Sequence, residues 1–323
     1  MSSQTEGSEG SILQRYRRRH AGTYRSIGRG WERFKTHRIG VVGLGIFLAI
    51  VAMAVFAPFL SPHTLAWRAP SGGAASSLSD LASSTTSHPA PPQFGDPYFA
   101  PLGTDHRGAD VLTRLVYGSR TALYIGLAAG LLSSLVGIPL GLISGFYGDT
   151  WIDEAIQRVV DIMYGLPFLP LVIVLVALRG TTTTNIILAI AVTSWLNNCI
   201  VIRGETLSLK ERSYIEAAQV AGASDLRIVF RHILPQVLPL GFVYLAQDAA
   251  FAILTQASLA FLGLADSTAI SWGIMLQWVQ VTGNVYNALW WMIPPGLMIT
   301  LLAAAFYFVG YSLEDVTNPQ ANP

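Results

Sequence analysis

The stretch EAAQVAGASDLRIVFRHILP, residues 216–235, is charged and alanine-rich, yet it lies between two long apolar runs. It carries Glu216, Asp225, Arg227, Arg231 and His232, and the segment before it, RGETLSLKERSY at 203–214, is just as polar. Tyr214, Ala217, Ala218 and Ala221 recur at spacings of three and four, which places them on one face of a helix. Alanine on such a face lets another surface approach the backbone closely. Glu216 sits near the start, where the helix dipole favours a carboxylate. Gly222 then relaxes the chain, Ser224 stands at the N-cap position of a second helix, and Pro235 falls at the base of the next apolar run. The pattern predicts a short helix–turn–helix with a small-residue contact face. A solvated loop with basic anchors would not need the alanine face.

The surrounding chain is of the membrane class. Of its 323 residues 52% are hydrophobic and 12% charged, about half the charged share of a soluble domain. The net charge of +1 by itself argues neither way on nucleic acid, and no nucleic acid is expected among the partners. The single cysteine, Cys199, excludes an intramolecular disulfide and any multi-cysteine metal site, and reads as a small buried apolar residue. A bilayer core of about 30 Å needs roughly 20 apolar residues in a helix. Windows free of charge, or nearly so, run over 39–60, 121–147, 159–178, 181–202, 233–265 and 288–311, which predicts six spans. The segment SWGIMLQWVQVTGNVYN before the last span mixes Gln, Thr, Asn and Gly with Trp and reads as interfacial. With the N-terminus inside, the inner segments hold 15 of the 20 Lys and Arg residues, so both termini and the Glu216 stretch are expected on the cytoplasmic side of the membrane. The first span reads as a signal anchor rather than a cleaved leader.

The expected organisation is a basic tail over 1–38, a first transmembrane helix over 39–60, an outer loop over 61–118, a multi-span core over 119–313 with the loop 203–235 inside it, and a short tail over 314–323. Residues 61–100 are rich in Pro, Ser, Gly and Ala and cannot bury a core. Order is expected to return in PLGTDHRGADVLTRLVYGSRTAL, where Val111, Leu112, Leu115 and Val116 recur at helical spacing in an amphipathic helix that feeds the second span. Gly and Pro punctuate later spans in GIPLG at 137–141, YGLPFLP at 164–170 and PPG at 294–296, which predicts a packed bundle with kinks.

Enzyme chemistry is not written in the chain. Neither lysine follows a glycine and no P-loop exists; HExxH and a Gly-x-Ser-x-Gly elbow are also missing. Asp105, His106 and Asp110 read better as a turn with a helix N-cap than as metal ligands.

Glu216-Ala217-Ala218, three residues, Gly222 and Ala223, then Ile233-Leu234-Pro235 closely resemble the EAA loop of binding-protein-dependent ABC importer permeases. GTDHRGADVLTRLVYGSR at 103–120 resembles an outer-side segment of the dipeptide/oligopeptide/nickel branch, of its C-type subunit; the matching residues are Gly103, Thr104, Asp105, Gly108, Asp110, Arg114, Gly118 and Arg120. SLAFLGLA at 258–265 and SWGIML at 271–276 are similar to that branch around the last two spans. Ala109, Gln256 and Ala265 depart from its usual Arg, Glu and Gly. The resemblance covers roughly residues 30–315 and implies an all-α membrane protein with the type I importer permease fold, one N-terminal anchor helix plus a five-helix core. It implies a second permease subunit, two ATP-binding subunits and an external binding protein as partners, with the lipid bilayer around the spans. ATP and magnesium would sit on the partner ATPases, with no cofactor, metal or catalytic residue on this chain. Tyr214, Glu216, Ala217, Ala218, Ala221, Gly222, Ala223 and Pro235 would form or flank the ATPase-coupling contact, and the cargo would be a peptide, with nickel chelates or oligosaccharides as alternatives.

Asp248 is a carboxylate in the middle of the fifth span, where insertion costs about 2.5–3.5 kcal/mol. With Gln247 and Gln256 near the same face it is a candidate for the translocation path; a structural hydrogen bond to a neighbouring helix is the equal alternative. A stand-alone secondary transporter would call for more intramembrane ionisable residues or inverted repeats.

Overall fold

A computed structural model describes residues 32, 34–69, 89–95, 98–266 and 268–317. The expectations for most of the basic tail, most of the 61–100 loop and the last residues of the C-terminal tail lie outside the described residues. The chain forms α1 (Arg38–Val55), α2 (Ala57–Leu60), a hairpin of β1 (Gln93–Gly95) and β2 (Tyr98–Ala100), α3 (Val111–Phe146), α4 (Trp151–Tyr164) and α5 (Phe168–Arg179). It continues through α6 (Thr183–Lys210), α7 (Ser213–Val220), α8 (Asp225–Ile228), a π turn (Val229–Ile233), α9 (Leu234–Phe261), α10 (Trp272–Val281) and α11 (Leu289–Thr317). Among the described residues five helices are long and apolar enough to cross a membrane, and the bent pair α4–α5 makes a sixth if it counts as one span.

Two expected spans are corrected in shape. The first helix stops at Val55, and Pro58 opens the separate turn α2. The third is not straight: α4 and α5 meet at 90° across Gly165–Pro167. Pro167 has no backbone N–H to continue the ladder and disfavours helical geometry at Leu166, so the chain breaks there. The predicted amphipathic segment before the second span is the first turns of one continuous helix, α3, whose 36 residues extend about 54 Å.

The centre of the bundle is α3, with α6 along one side and α9 along another; α11 packs on α9, and α1 lies outside against α11. Small residues set these approaches. A Cβ added at Gly137, Gly141 or Gly145 would come within 2.5–2.6 Å of the α6 atoms Trp195 O, Cys199 O and Thr206 Cβ. These three glycines recur every fourth residue, so they make one bare stripe on which the α6 backbone rests. Further along α3, Gly126 and Gly130 do the same for α9, where added Cβ atoms would meet Ile253 Cδ1 at 2.8 Å and Ala249 N at 3.0 Å. Hydrocarbon tails are as apolar as leucine, so association of such helices depends on this close packing rather than on expulsion of water. α1 buries only Gly40, Gly43, Ile50 and Ala54. Ile46, Phe47, Val51 and Met53 are partly buried against the core, with Phe47 edge-on to Phe306, while Ile39, Val41, Val42, Leu48 and Val55 are exposed, as befits a peripheral span in lipid.

Replacing Gly141 by valine should force α3 and α6 apart and cost about 1–3 kcal/mol. Thermal unfolding of the detergent-solubilised protein should show a clearly lowered midpoint for Gly141→Val. Gly45→Val should leave it nearly unchanged, because nothing lies within 4 Å of the added Cβ. Equal midpoints for the two variants would rule out the seam as the organising contact.

Candidate functional site

One end of the bundle carries the hairpin that contains residues 216–235. α7 is held to the bundle by one fully buried side chain, Ile215. Ile215 joins Ile228 and Ile233 in a cluster with Leu142 and Phe146 of α3 and Ile202 and Leu209 of α6. Ile228 and Ile233 are five residues apart and reach the same core because the π turn between them winds wider than an α-helix. The hairpin thus sits on the ends of α3 and α6 while its other face stays open. Ala217 and Ala221 are exposed and Ala218 is half-buried. Val220 is 90% exposed and Leu226 69%, an apolar pair that the described chain does not cover. Glu216 stands in the first turn of α7. The Tyr214 hydroxyl accepts from Gln236 Nε2 at 2.8 Å, and Pro235 opens α9.

Gly222 closes α7. Its φ is +79°, a left-handed conformation that a side chain disfavours. Gly222 N donates to Gln219 O at 2.9 Å and Ala223 N to Ala218 O at 3.0 Å, the paired bonds of a Schellman cap. The sequence spacing from Glu216 to Ala223 is therefore the length of two helical turns plus their glycine stop. Ser224 does occupy the N-cap position of α8, but its side chain makes no capping bond; the cap rests on backbone geometry alone.

A polar lock lies just inside the hairpin. Asp153, in the first turn of α4, pairs with Arg203 of α6, with Nη2–Oδ2 2.6 Å and Nε–Oδ1 2.7 Å. Ser144 of α3 donates to Asp153 Oδ1 at 2.5 Å and itself accepts from Gln157 Nε2 at 2.9 Å. In the sequence Arg203 counts only toward the charge bias of the inner side; the fork that joins three helices shows only once α3, α4 and α6 are brought together.

At the opposite end the GTDHRGAD segment is a clasp. Asp105 Oδ1 accepts from the backbone N–H groups of Arg107 and Ala109 at 2.8 and 2.9 Å, and its Oδ2 lies 3.2 Å from Arg114 Nε. Asp110 caps α3 through Thr113 N at 2.7 Å. Gly103 and Gly108 both have positive φ. Thr104 pairs with Ala90 in both directions, N to O at 2.9 Å and Ala90 N to Thr104 Oγ1 at 3.0 Å. Gly118 leaves room for the Trp272 ring, whose Nε1 donates to Leu115 O at 2.8 Å, and Arg120 Nε donates to Ala54 O at the end of α1 at 2.7 Å. Ala109 is buried, and its backbone N–H donates to Asp105 Oδ1 while its O accepts from Asp105 N at 2.8 Å. His106 stacks on Trp278 and Trp291, and burial there lowers its pKa, so the ring is neutral at pH 7.

Between the two ends, the break at Gly165–Pro167 opens a cavity of about 670 Å³. Met163 to Phe168 form one wall, α6 another, and α9 brings Tyr244, Gln247, Asp248 and Phe251. Asp248 is 6% exposed. Its Oδ2 accepts from Ser133 Oγ of α3 and from Asn198 Nδ2 of α6, both at 2.7 Å. The carboxylate therefore makes the structural hydrogen bonds to neighbouring helices that the sequence offered as one alternative, and it also lines the cavity. Gln256 does not reach the cavity; it is buried two turns on, with Nε2 3.3 Å from Ser271 Oγ at the start of α10. Ser133, Asn198 and the cavity tyrosines carried no distinguishing sequence signal.

The bundle thus carries a hairpin with an uncovered apolar face at one end and a cavity along its middle. Residues 137–322 match the family of binding-protein-dependent transport system inner membrane components, and residues 27–75 match the N-terminal transmembrane domain of oligopeptide transport permease C. The chain belongs to that inner membrane component family. It is 33% identical to the dipeptide transport system permease protein DppC of Bacillus subtilis over 90% of this chain and 84% of that one. It is 32% identical to the oligopeptide transport system permease protein OppC of the same organism, over 89% and 88%. Its fold is similar to a chain of the inward-facing MetNI methionine ABC transporter, with a TM-score of 0.51 at 18% identity, covering 64% of this chain and 95% of that one. The protein is a multi-pass inner membrane permease subunit of a bacterial ABC transporter; ATP hydrolysis resides on partner subunits, and an ATPase and a binding protein are its general partners.

Removing Arg203 leaves Asp153 as an uncompensated, largely buried charge. Arg203→Met should destabilise the subunit by about 2–3 kcal/mol, the low end for a buried pair because Arg203 is partly exposed. The double variant with Asp153→Asn should recover part of that loss in the same unfolding assay; a double variant no better than the single one would deny that the pair acts as a unit.

Proposed function

We propose that this chain is the C-type permease of an importer for dipeptides and oligopeptides. In that reading it pairs with a different second permease along the translocation path, two ATP-binding subunits lie beneath, and an extracytoplasmic binding protein delivers the cargo. The observation that carries the peptide reading is identity of 32–34% over about nine-tenths of the chain to permeases named for dipeptides and oligopeptides. Both termini and the α7–α8 hairpin face the cytoplasm, in keeping with the Lys and Arg bias of the sequence.

The hairpin is the coupling element. Its open face offers Ala217, Ala221, Val220 and Leu226, and its closed face rests on α3 and α6 through Ile215. An ATPase that grips the open face moves the ends of α3, whose first turns hold the clasp, and of α6, whose middle lines the cavity. Closure and opening of the ATPase pair on ATP binding and hydrolysis would then bias the bundle between inward and outward access. The Asp153–Arg203 fork ties α4 into the same moving end.

Ala217→Trp fills the contact face without touching the buried cluster. Membrane insertion and binding-protein docking should be normal, while binding-protein-stimulated peptide uptake in proteoliposomes should be lost. Uptake at the full rate in this variant would sink the coupling role.

A further inference from the structure

The cavity at the α4–α5 break has a one-sided charge. Among the described residues that line it, Asp248 is the one with a formal charge, and none is Lys, Arg or His. Both protein hydrogen bonds to Asp248 fall on Oδ2, from Ser133 and Asn198. Oδ1 has no hydrogen-bonded partner among the described residues and is not among the sealed, unsatisfied atoms of the structure. Tyr164, Tyr244 and Tyr307 bring three phenol rings to the same space, and the Tyr164 hydroxyl is fixed by Asn197. A carboxylate with one oxygen anchored and the other without a protein partner, in a space that tyrosines also line, is suited to receive a cation. The free oxygen supplies a charge-assisted hydrogen bond.

The geometry points to Asp248 as a transient subsite for a primary ammonium group of the cargo, such as a peptide's N-terminal amine. This rests on the peptide reading of the permease. The site is a stepping point and not a trap. A single carboxylate without further charged partners holds an ammonium weakly enough to release it when the bundle rearranges. The anchoring of Oδ2 by α3 and α6 means that any displacement of those helices moves the acceptor with them, which links cargo contact to the hairpin at the cytoplasmic end.

The test uses the complete complex of both permeases, ATPases and binding protein in proteoliposomes, with radiolabelled dialanine and trialanine as cargo. Asp248→Asn keeps an oxygen that accepts from Ser133 and Asn198 but removes the charge. The maximal uptake rate should fall about tenfold or more, with assembly and melting midpoint preserved. The apparent KM should stay near that of the parent complex, since the binding protein captures the cargo before this step. A second pair keeps Asp248 intact: Gln247→Lys places a tethered ammonium in the cavity, and Gln247→Met is its neutral match. The lysine variant should lose several-fold more uptake than the methionine variant. Parent-level uptake by Asp248→Asn, or equal losses in the Gln247 pair, overturns the ammonium subsite while leaving the peptide reading standing. If the parent complex imports an oligosaccharide and neither peptide, the peptide reading and the subsite both fall.

Discussion

The close approach of α3 and α6 is the constraint on which the rest depends. Gly137, Gly141 and Gly145 give up side chains so that the two backbones nearly touch. In lipid this contact has no hydrophobic drive behind it, and its strength comes from dense packing over a long stripe. The seam sets the distance between Ser133 and Asn198, and therefore the pocket in which both can reach Asp248. It brings Ser144 and Arg203 together on Asp153, where both reach Oδ1 and Arg203 also holds Oδ2. It also forms the platform of Phe146, Leu142, Ile202 and Leu209 on which the hairpin rests. Widening the seam would loosen all three features at once.

The two ends of α3 have different characters. The clasp end is crowded with bonds that run to backbone atoms: Asp105 to two N–H groups, Arg120 to the end of α1, Trp272 to Leu115. Such contacts fix a shape. The hairpin end is anchored by Ile215, Ile228 and Ile233 and leaves Val220 and Leu226 uncovered by the described chain. In the proposed function an ATPase covers that face, and α3 is the element that would carry its displacement toward the clasp.

The sequence made much of this legible, for reasons that differ by element. Apolar run length marked the spans because the bilayer imposes it. The alanine face and Gly222 were readable because a helix of fixed length needs a stop, and glycine at positive φ is the usual one. The glycine stripe showed only as the breaker-like GIPLG, since spacing does not say which helix will lie on it. The 90° break at Gly165–Pro167 was foreshadowed as a kink, while the cavity it opens depends on where α9 passes. Asp248 was conspicuous as a charge in an apolar run, but Gln256 looked equivalent and is not, because two helical turns carry it beyond the cavity to Ser271. Ser133 and Asn198 were illegible: nothing local distinguishes a serine that will meet a carboxylate from a helix 115 residues away in the chain.

The central claim is that the open face of α7 is where the ATPase engages. Ala221→Cys places one accessible thiol there, against a background in which the native Cys199 is buried. Maleimide labelling of this cysteine, with and without the ATP-binding subunits, reads the contact directly. The account predicts rapid labelling of the permease pair alone and strong protection in the full complex, relieved when the ATPases are removed. Equal labelling in the presence and absence of the ATPases, in a complex that still transports, would contradict it.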